Sequence, residues 1–488
     1  MKSAVILLIM AAYFGILYII SVIISRKSSN NDAFFLGNRK SPWWVVAIAM
    51  IGSSISGVTF VSVPGWVRES DMTYMQMVIG FFFGYIIVAY VLLPLYYRLN
   101  LTTIYGYLGQ RFGKTTHKTG SAFFILSKLT GAAARLYLIA MILQILVFAR
   151  WGIPFAVTVA GIIVLIWLYT HRSGIKTIIW TDTLQTICFL TSLILIIWQI
   201  ATKLDIGFAQ IVDTVTSNEH YRIFVFDDWG SKQNFFKQFF NGIFITIVMT
   251  GLDQDMMQKN LTCKSLKDAQ KNMLSYGFAF IPINFLFLSL GILLLVFANH
   301  YQITLPVISD QILPLLASDY LGFSVLIFFT IGIIAASFSS ADSAIAALTT
   351  SVCIDLLDID KKEATKAKNI RKVVHICVSI VFGLVILLID YLGERSIINA
   401  IYKIASYTYG PLLGLFAFGL FTKIRIKDKL VPYVCVLSPI LCYLFEIFLM
   451  EKYKYAVGNE ILMINGLLTI FGLLLISKRN IDNRLSDN

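Results

Sequence analysis

Charge is what this sequence has least of. Asp, Glu, Lys and Arg make up 14% of its 488 residues, against about a quarter in a soluble globular domain. Hydrophobic residues reach 58% and the mean hydropathy is +0.77. An ordinary soluble globule is excluded, and so is a disordered chain. Cysteine is sparse as well. Cys188, Cys263, Cys353, Cys377, Cys435 and Cys442 include no Cys-x-x-Cys pair. None falls in an expected exterior loop, so neither a disulfide framework nor a zinc site is expected. There is no phosphate-binding glycine loop, no HExxH and no GxSxG. ATP-driven transport and the common hydrolase chemistries therefore have no support, and no enzyme activity is expected.

What is present is a series of uncharged apolar runs of roughly 20 residues, the length that crosses a bilayer core as a helix. Inside lipid every backbone group must be paired within its own segment, so only helices or closed barrels can span. Barrel strands would alternate with a period of two; these runs do not. The expected class is an all-α polytopic membrane protein embedded in a lipid bilayer. The first run, Ala4–Ile24, is too long for the apolar core of a signal peptide and no small-residue cleavage site follows it, so it is expected to be a retained helix.

Thirteen spans are expected along the chain. The net charge of +13 would suggest nucleic acid in a soluble protein, but the basic residues lie in short loops between apolar runs, so topology accounts for them and no nucleic-acid partner is expected. One set of loops holds 27 lysines and arginines and the opposite set holds 10. That bias places the C-terminus in the cytoplasm and, with an odd number of spans, the N-terminus outside. The resulting plan has an extra N-terminal span (1–27) and a first set of five spans (42–202). An exterior loop with a short helix follows (203–235), then a second set of five (236–422), two C-terminal spans (430–477) and a cytoplasmic tail (478–488). Five spans per set means that the second set enters the membrane from the opposite side, the arithmetic of an inverted repeat.

Polar residues inside the spans mark candidate chemistry. The second span carries Gly52-Ser53-Ser54-Ile55-Ser56-Gly57-Val58-Thr59 near its middle. Glycine and serine weaken helix there. The stretch suits an unwound segment whose carbonyls meet a cation and whose hydroxyls face a solute; the alternative is a small-residue packing face. The ninth span carries Ala336-Ser337-Phe338-Ser339-Ser340-Ala341-Asp342-Ser343. Ser339, Asp342 and Ser343 share a helix face. A carboxylate among hydroxyls and carbonyls is a hard-oxygen site that suits sodium or a proton; a polar helix–helix contact is the alternative. Asp182 lies a few residues inside the sixth span and could instead snorkel to the interface. Arg135 and Lys128 lie seven residues apart on one face of the fourth span. Arg135 is near mid-depth and should face a partner or a cavity. It would grip a solute carboxylate in bidentate fashion or pair internally with Asp182, Asp253 or Asp342. Gly410-Pro411 in mid-span marks a kink or hinge.

Together these motifs resemble the sodium:solute symporter family, which includes sugar, proline, pantothenate and sialic acid carriers. The resemblance covers roughly residues 28–425. It rests on Asp32-Ala33-Phe34-Phe35-Leu36-Gly37-Asn38-Arg39 before Pro42-Trp43-Trp44, the Gly52–Thr59 cluster, and Trp180-Thr181-Asp182-Thr183-Leu184-Gln185. It rests equally on the Gln254–Lys259 stretch, Ser339–Ser343 and the Gly410–Phe416 run. The order of these six pieces carries more than any one of them. The resemblance implies a LeuT-like fold of five-plus-five inverted repeats with an extra N-terminal helix. It also implies import of a small organic solute coupled to Na+ by alternating access in a bacterial inner (cytoplasmic) membrane, by a monomer. The main sodium site would use Gly52, Ile55, Ala336, Ser339 and Ser340. A second sodium site would fall on Asp182, Ser339, Asp342 and Ser343. The solute would meet Ser54, Ser56, Thr59, Tyr74 and Arg135, and the match at Arg135, Ser56 and Thr59 to the sialic acid branch implies a carboxylate-bearing sugar such as sialic acid. The sequence departs from that branch at Gly57 and Asp342, where serine is expected, and at Val78, where glutamine is expected. Asp342 would then bind sodium, take a proton or be met by Arg135. A neutral sugar, polyol or amino acid is the alternative solute. A channel or a sensor is the alternative outside transport, with no filter sequence or charged ring for the first and only a short tail for the second.

Overall fold

The computed structural model describes residues 2–25, 31–171, 174–392, 397–454, 457–458 and 460–477. Its architecture is helical, with two isolated bridges and no named strand among the described residues. The principal helices are α1 (Lys2–Ser25), α2 (Trp43–Ser54), α3 (Gly57–Ser70), α4 (Tyr74–Arg98), α5 (Lys114–Leu143), α6 (Phe155–Thr170), α7 (Ile175–Lys203) and α8 (Phe235–Gly251). They continue with α9 (Gln254–Asn260), α10 (Leu266–His300), α11 (Phe323–Leu356), α12 (Ala364–Leu392), α13 (Ile397–Phe421), α14 (Val431–Tyr453) and α15 (Ile461–Leu475).

Among the described residues nine helices are long and apolar enough to cross a bilayer, and eleven if each of two bent pairs counts as one span. The shorter apolar helices Phe155–Thr170 and Ile461–Leu475 coincide with the remaining two expected spans but fall short of the ~20 residues a perpendicular crossing takes. The segment 203–235 holds the expected short helix, Phe208–Thr216.

The two bent pairs lie at equivalent places in the expected repeats, in the first span of each set. The α2–α3 pair turns by 62° and the α8–α9 pair by 70°. At the first, Ile55 and Ser56 leave helical geometry with ψ of 92° and 171°. The last helical bond of α2 runs from Ile55 N–H to Ile51 O at 2.9 Å. The carbonyls of Gly52 to Ile55 lie beyond it and are left without helical donors. At the second break Asp253 caps α9, accepting from the N–H groups of Asp255 at 2.9 Å and Met256 at 3.3 Å. Helix α11 runs between these breaks, and every residue from Gly332 to Ser351 on it is buried. A helix covered all round by protein can carry serines and aspartate at membrane depth, since none of them faces lipid.

Two segments add detail to the expected plan. Helix α12 begins at Ala364, inside the basic stretch 361–372 that the cation count takes as a loop. Arg371 is turned inward, its guanidinium 4.3 Å from the ring centre of Phe34 and 3.0 Å from Asn31 Oδ1. A cation–π contact and a polar contact hold the buried cation. Gly410-Pro411 lies inside α13, which continues through Pro411. Proline cannot donate to the carbonyl four residues before it, that of Tyr407. Asn465 Nδ2 of α15 supplies the missing donor at 2.9 Å, and also reaches Ser406 O at 3.2 Å.

Candidate ion and solute site

Gly52 is where α2 meets the ninth-span serines. A Cβ on it would stand 2.3 Å from Thr186 Oγ1, 3.1 Å from Ser339 Oγ and 3.2 Å from the Asp182 carbonyl. Only glycine lets the freed carbonyl end of α2 approach α7 and α11 so closely. Ile55 is fully buried at the same break. Ala336, Ser339 and Ser340 lie at i, i+3 and i+4 of α11, on one face. Ser340 Oγ donates to Ser337 O at 2.9 Å and keeps its lone pairs for a ligand. The five residues expected to hold the main sodium ion thus lie at the facing stretches of α2 and α11.

Asp182 is fully buried and does not reach an interface, so the snorkelling alternative is set aside. Its Oδ1 accepts from Ser339 at 2.8 Å, and its Oδ2 from Ser53 at 3.0 Å and Ser343 at 3.1 Å. The fourth partner is Lys259, whose Nζ lies 2.7 Å from Asp182 Oδ2. Lys259 stands at the end of an apolar span, where the topology count takes a lysine as a loop cation, but it is a fully buried residue of α9. Asp342 goes elsewhere. It accepts from Tyr169 of α6 at 2.9 Å, and its other oxygen has no hydrogen-bond partner among the described residues. Three of the four residues expected at the second ion site therefore share one network, and the fourth, Asp342, is hydrogen-bonded to Tyr169 instead.

The residues expected to meet the solute come together. Ser54, Ser56, Thr59, Tyr74 and Arg135 all line one cavity, together with Lys128, Asp253, Tyr276 and Tyr409. Ser54, Tyr276 and Tyr85 form a hydroxyl chain with steps of 2.6 Å and 2.8 Å. Lys128 is held by Asp253 at 3.2 Å and Asp255 at 2.8 Å, and Tyr409 donates to Asp253 at 2.5 Å. Arg135 forms no hydrogen bond or ion pair with another described residue; Asp182, Asp253 and Asp342, its expected internal partners, are engaged by Lys259, Lys128 and Tyr169.

Two departures noted in the sequence have structural reasons. A side chain at Gly57 would place Cβ 2.2 Å from Ser337 Oγ and 2.4 Å from Ile139 Cδ1. Gly57→Ser is therefore expected to destabilise the protein by about 1–3 kcal/mol, the usual range for overpacking, read as a lower Tm in detergent. A Tm equal to that of the unmodified protein would show that Ser337 and Ile139 can yield. Val78 is buried away from the cavity lining. Gln76, two residues earlier, is occupied in anchoring the segment 203–235 through Val225 N–H at 3.0 Å and Gln233 O at 2.8 Å.

Sequence reasoning missed Lys259, Ser53, Asp255, Tyr85, Tyr276 and Tyr409. One signal was available: a buried Asp182 requires a cation, and Gln254–Lys259 is a polar stretch at the end of an apolar span.

The sequence profile of the sodium:solute symporter family matches residues 34–428. The chain belongs to the sodium:solute symporter family. Two similar proteins are the sodium/sialic acid symporter SiaT of Proteus mirabilis, 25% identical over 84% of this chain and 83% of that one, and the sodium/sialic acid symporter NanT of Aliivibrio fischeri, 24% identical over 84% and 82%. A solved structure of a Na+-coupled sialic acid symporter in a substrate-bound outward-open state superposes with a TM-score of 0.82 at 22% identity, covering 98% of this chain and 99% of that one. That likeness shows the fold, which is LeuT-like. This family member is thus a polytopic membrane transporter that couples a small solute to sodium.

Proposed function

We propose that the chain imports a carboxylate-bearing sugar such as sialic acid, with sodium, across a bacterial inner membrane. In this arrangement the N-terminus is outside and the C-terminus cytoplasmic. The observation that carries the reading is Arg135. A guanidinium at membrane depth needs an anionic or polar partner, and this one faces a cavity rimmed by hydroxyls while the neighbouring aspartates are committed elsewhere. A solute with one carboxylate and several hydroxyls answers both features. Two relatives named for sialic acid add support. The main ion site is Gly52, Ile55, Ala336, Ser339 and Ser340. A sodium ion there would hold α2 against α11 and shape the Ser54–Thr59 wall of the cavity; its loss to a low-sodium cytoplasm would loosen that wall and release the solute. Both sites are built within one chain, so a monomer suffices.

The test is a thermal shift of the purified protein against sialic acid, neutral sugars and polyols, with and without sodium. Sialic acid should stabilise only when sodium is present. If a neutral sugar or polyol stabilises and the acid does not, the carboxylate assignment falls. For the ion site, Ser339→Ala and Ser340→Ala should each raise the sodium concentration for half-maximal uptake on the order of tenfold, the equivalent of about 1.4 kcal/mol for one lost ligand. Unchanged sodium dependence in both variants would move the main site elsewhere.

A further inference from the structure

We infer that Lys259 is a tethered cation that fills the deep Asp182 cluster, so that this chain binds a single sodium ion where the cluster would otherwise take a second. The inference rests on the sodium-coupled reading and concerns how many ions accompany the solute.

The cluster is built for a hard cation. Ser53 of α2, and Ser339 and Ser343 of α11, all turn their hydroxyls to the Asp182 carboxylate of α7. One charged oxygen donor and several neutral ones, all buried, is the ligand chemistry of sodium or calcium. The Lys259 ammonium already stands there. Its Nζ lies 2.7 Å from Asp182 Oδ2 and 2.7 Å from Ser343 Oγ, and it also donates to Ser53 Oγ. An ammonium has three N–H donors and no acceptor, so these three oxygens use all of them. The side chains of Lys259 and Asp182 are both 0% exposed.

Among the described residues the other nearby carboxylates lack such a set of hydroxyls. Asp255, 3.8 Å from the ammonium, is bound at 2.8 Å by Lys128. Asp342 accepts from Tyr169 through one oxygen, and no hydroxyl or amide meets its other oxygen. A sodium ion at Asp182 would share a single carboxylate with an ammonium in a dry interior, where like charges repel strongly. A tethered cation also behaves differently from a free one. Lys259 belongs to α9, the half-helix of the second bent pair, while its three partners come from α2, α7 and α11. Motion of α9 can withdraw the charge from the cluster, but the charge cannot leave with the solute.

The experiment is equilibrium 22Na+ binding to the purified full-length protein without solute, which keeps it independent of solute identity. One site per chain is expected. Lys259→Met, which keeps an unbranched side chain one atom shorter and removes the charge, should bind two, and Lys259→Met/Asp182→Asn should return to one. Lys259→Gln serves the same purpose if the methionine variant does not fold. Two sites in the unmodified protein would overturn the inference, since sodium and ammonium would then coexist. One site in a folded, neutral Lys259 variant would overturn it as well, because the emptied cluster would have no affinity for sodium. No site in the unmodified protein would take down the sodium-coupled reading and this inference together, whereas the other two outcomes leave that reading standing.

Discussion

Arg135→Ala is expected to abolish stabilisation by sialic acid while leaving sodium binding intact. A buried, charge-assisted contact truncated on one side costs on the order of 2–5 kcal/mol of binding, enough to push the solute out of a measurable range. The argument is one of elimination among neighbours. Lys128 lines the same cavity but is gripped by Asp253 and Asp255, so its charge is already balanced. Arg135 has no such partner among the described residues, and its five donors remain for the solute. Arg135→Lys should not restore binding, because a point charge lacks the planar fork that fits a carboxylate. Sodium-dependent and solute-dependent thermal shifts, measured separately on both variants, decide the matter. If sodium binding collapses and neutral sugars bind as before, Arg135 serves the ion network and the solute is a neutral sugar or polyol.

Much of the fold was legible because bilayer physics is blunt. Uncharged runs of spanning length and the loop cations named the class and a topology, and two sets of five pointed to inverted repeats. Gly52–Gly57 was legible as a break, since glycine and serine crowd one stretch of an otherwise apolar span; the bend of 62° lies there. Gly410-Pro411 carries an equally strong breaking signal and yet sits in a continuous helix. The difference is Asn465, some fifty residues away, which supplies the donor that proline removes. No local window contains that information. Lys259 shows the same limit from the other side. Hydropathy assigns a lysine at the end of a span to the nearest loop, and only the second bend, between Gly251 and Gln254, turns it inward to Asp182. Arg371 was counted as a loop cation for a similar reason, its partners Phe34 and Asn31 being distant in sequence. The cavity was legible in part, because Arg135 stands out at membrane depth and Ser56 and Thr59 belong to a hydroxyl-rich cluster in an apolar span. Its floor of paired charges was not, since pairing is a property of the assembled helices.

That floor carries the second large effect. Lys128→Met is expected to destabilise the protein by about 3–5 kcal/mol, the range for a buried ion pair that loses one partner. The ammonium on α5 faces Asp253 Oδ2 at 3.2 Å and Asp255 Oδ2 at 2.8 Å at the start of α9. Without it, two buried carboxylates two residues apart would confront each other. They are not equally dependent on the lysine. Asp253 also accepts from Tyr409 and from two backbone N–H groups of α9, so it retains hydrogen bonds to its charged form. Asp255 Oδ1 has no hydrogen-bond partner and lies 3.8 Å from Lys259, which is itself bound to Asp182. Most of the penalty should therefore fall on Asp255. Lys128→Met/Asp255→Asn should recover a large part of the lost stability, and Lys128→Met/Asp253→Asn should recover less, because the second substitution also weakens the cap of α9. Thermal unfolding of the three variants in detergent provides the comparison. Equal recovery by the two aspartate substitutions would show that mutual repulsion, and not the missing partner of Asp255, sets the cost. A stable single variant would show that water or sodium from the adjoining cavity replaces the ammonium, making this floor permeable to ions.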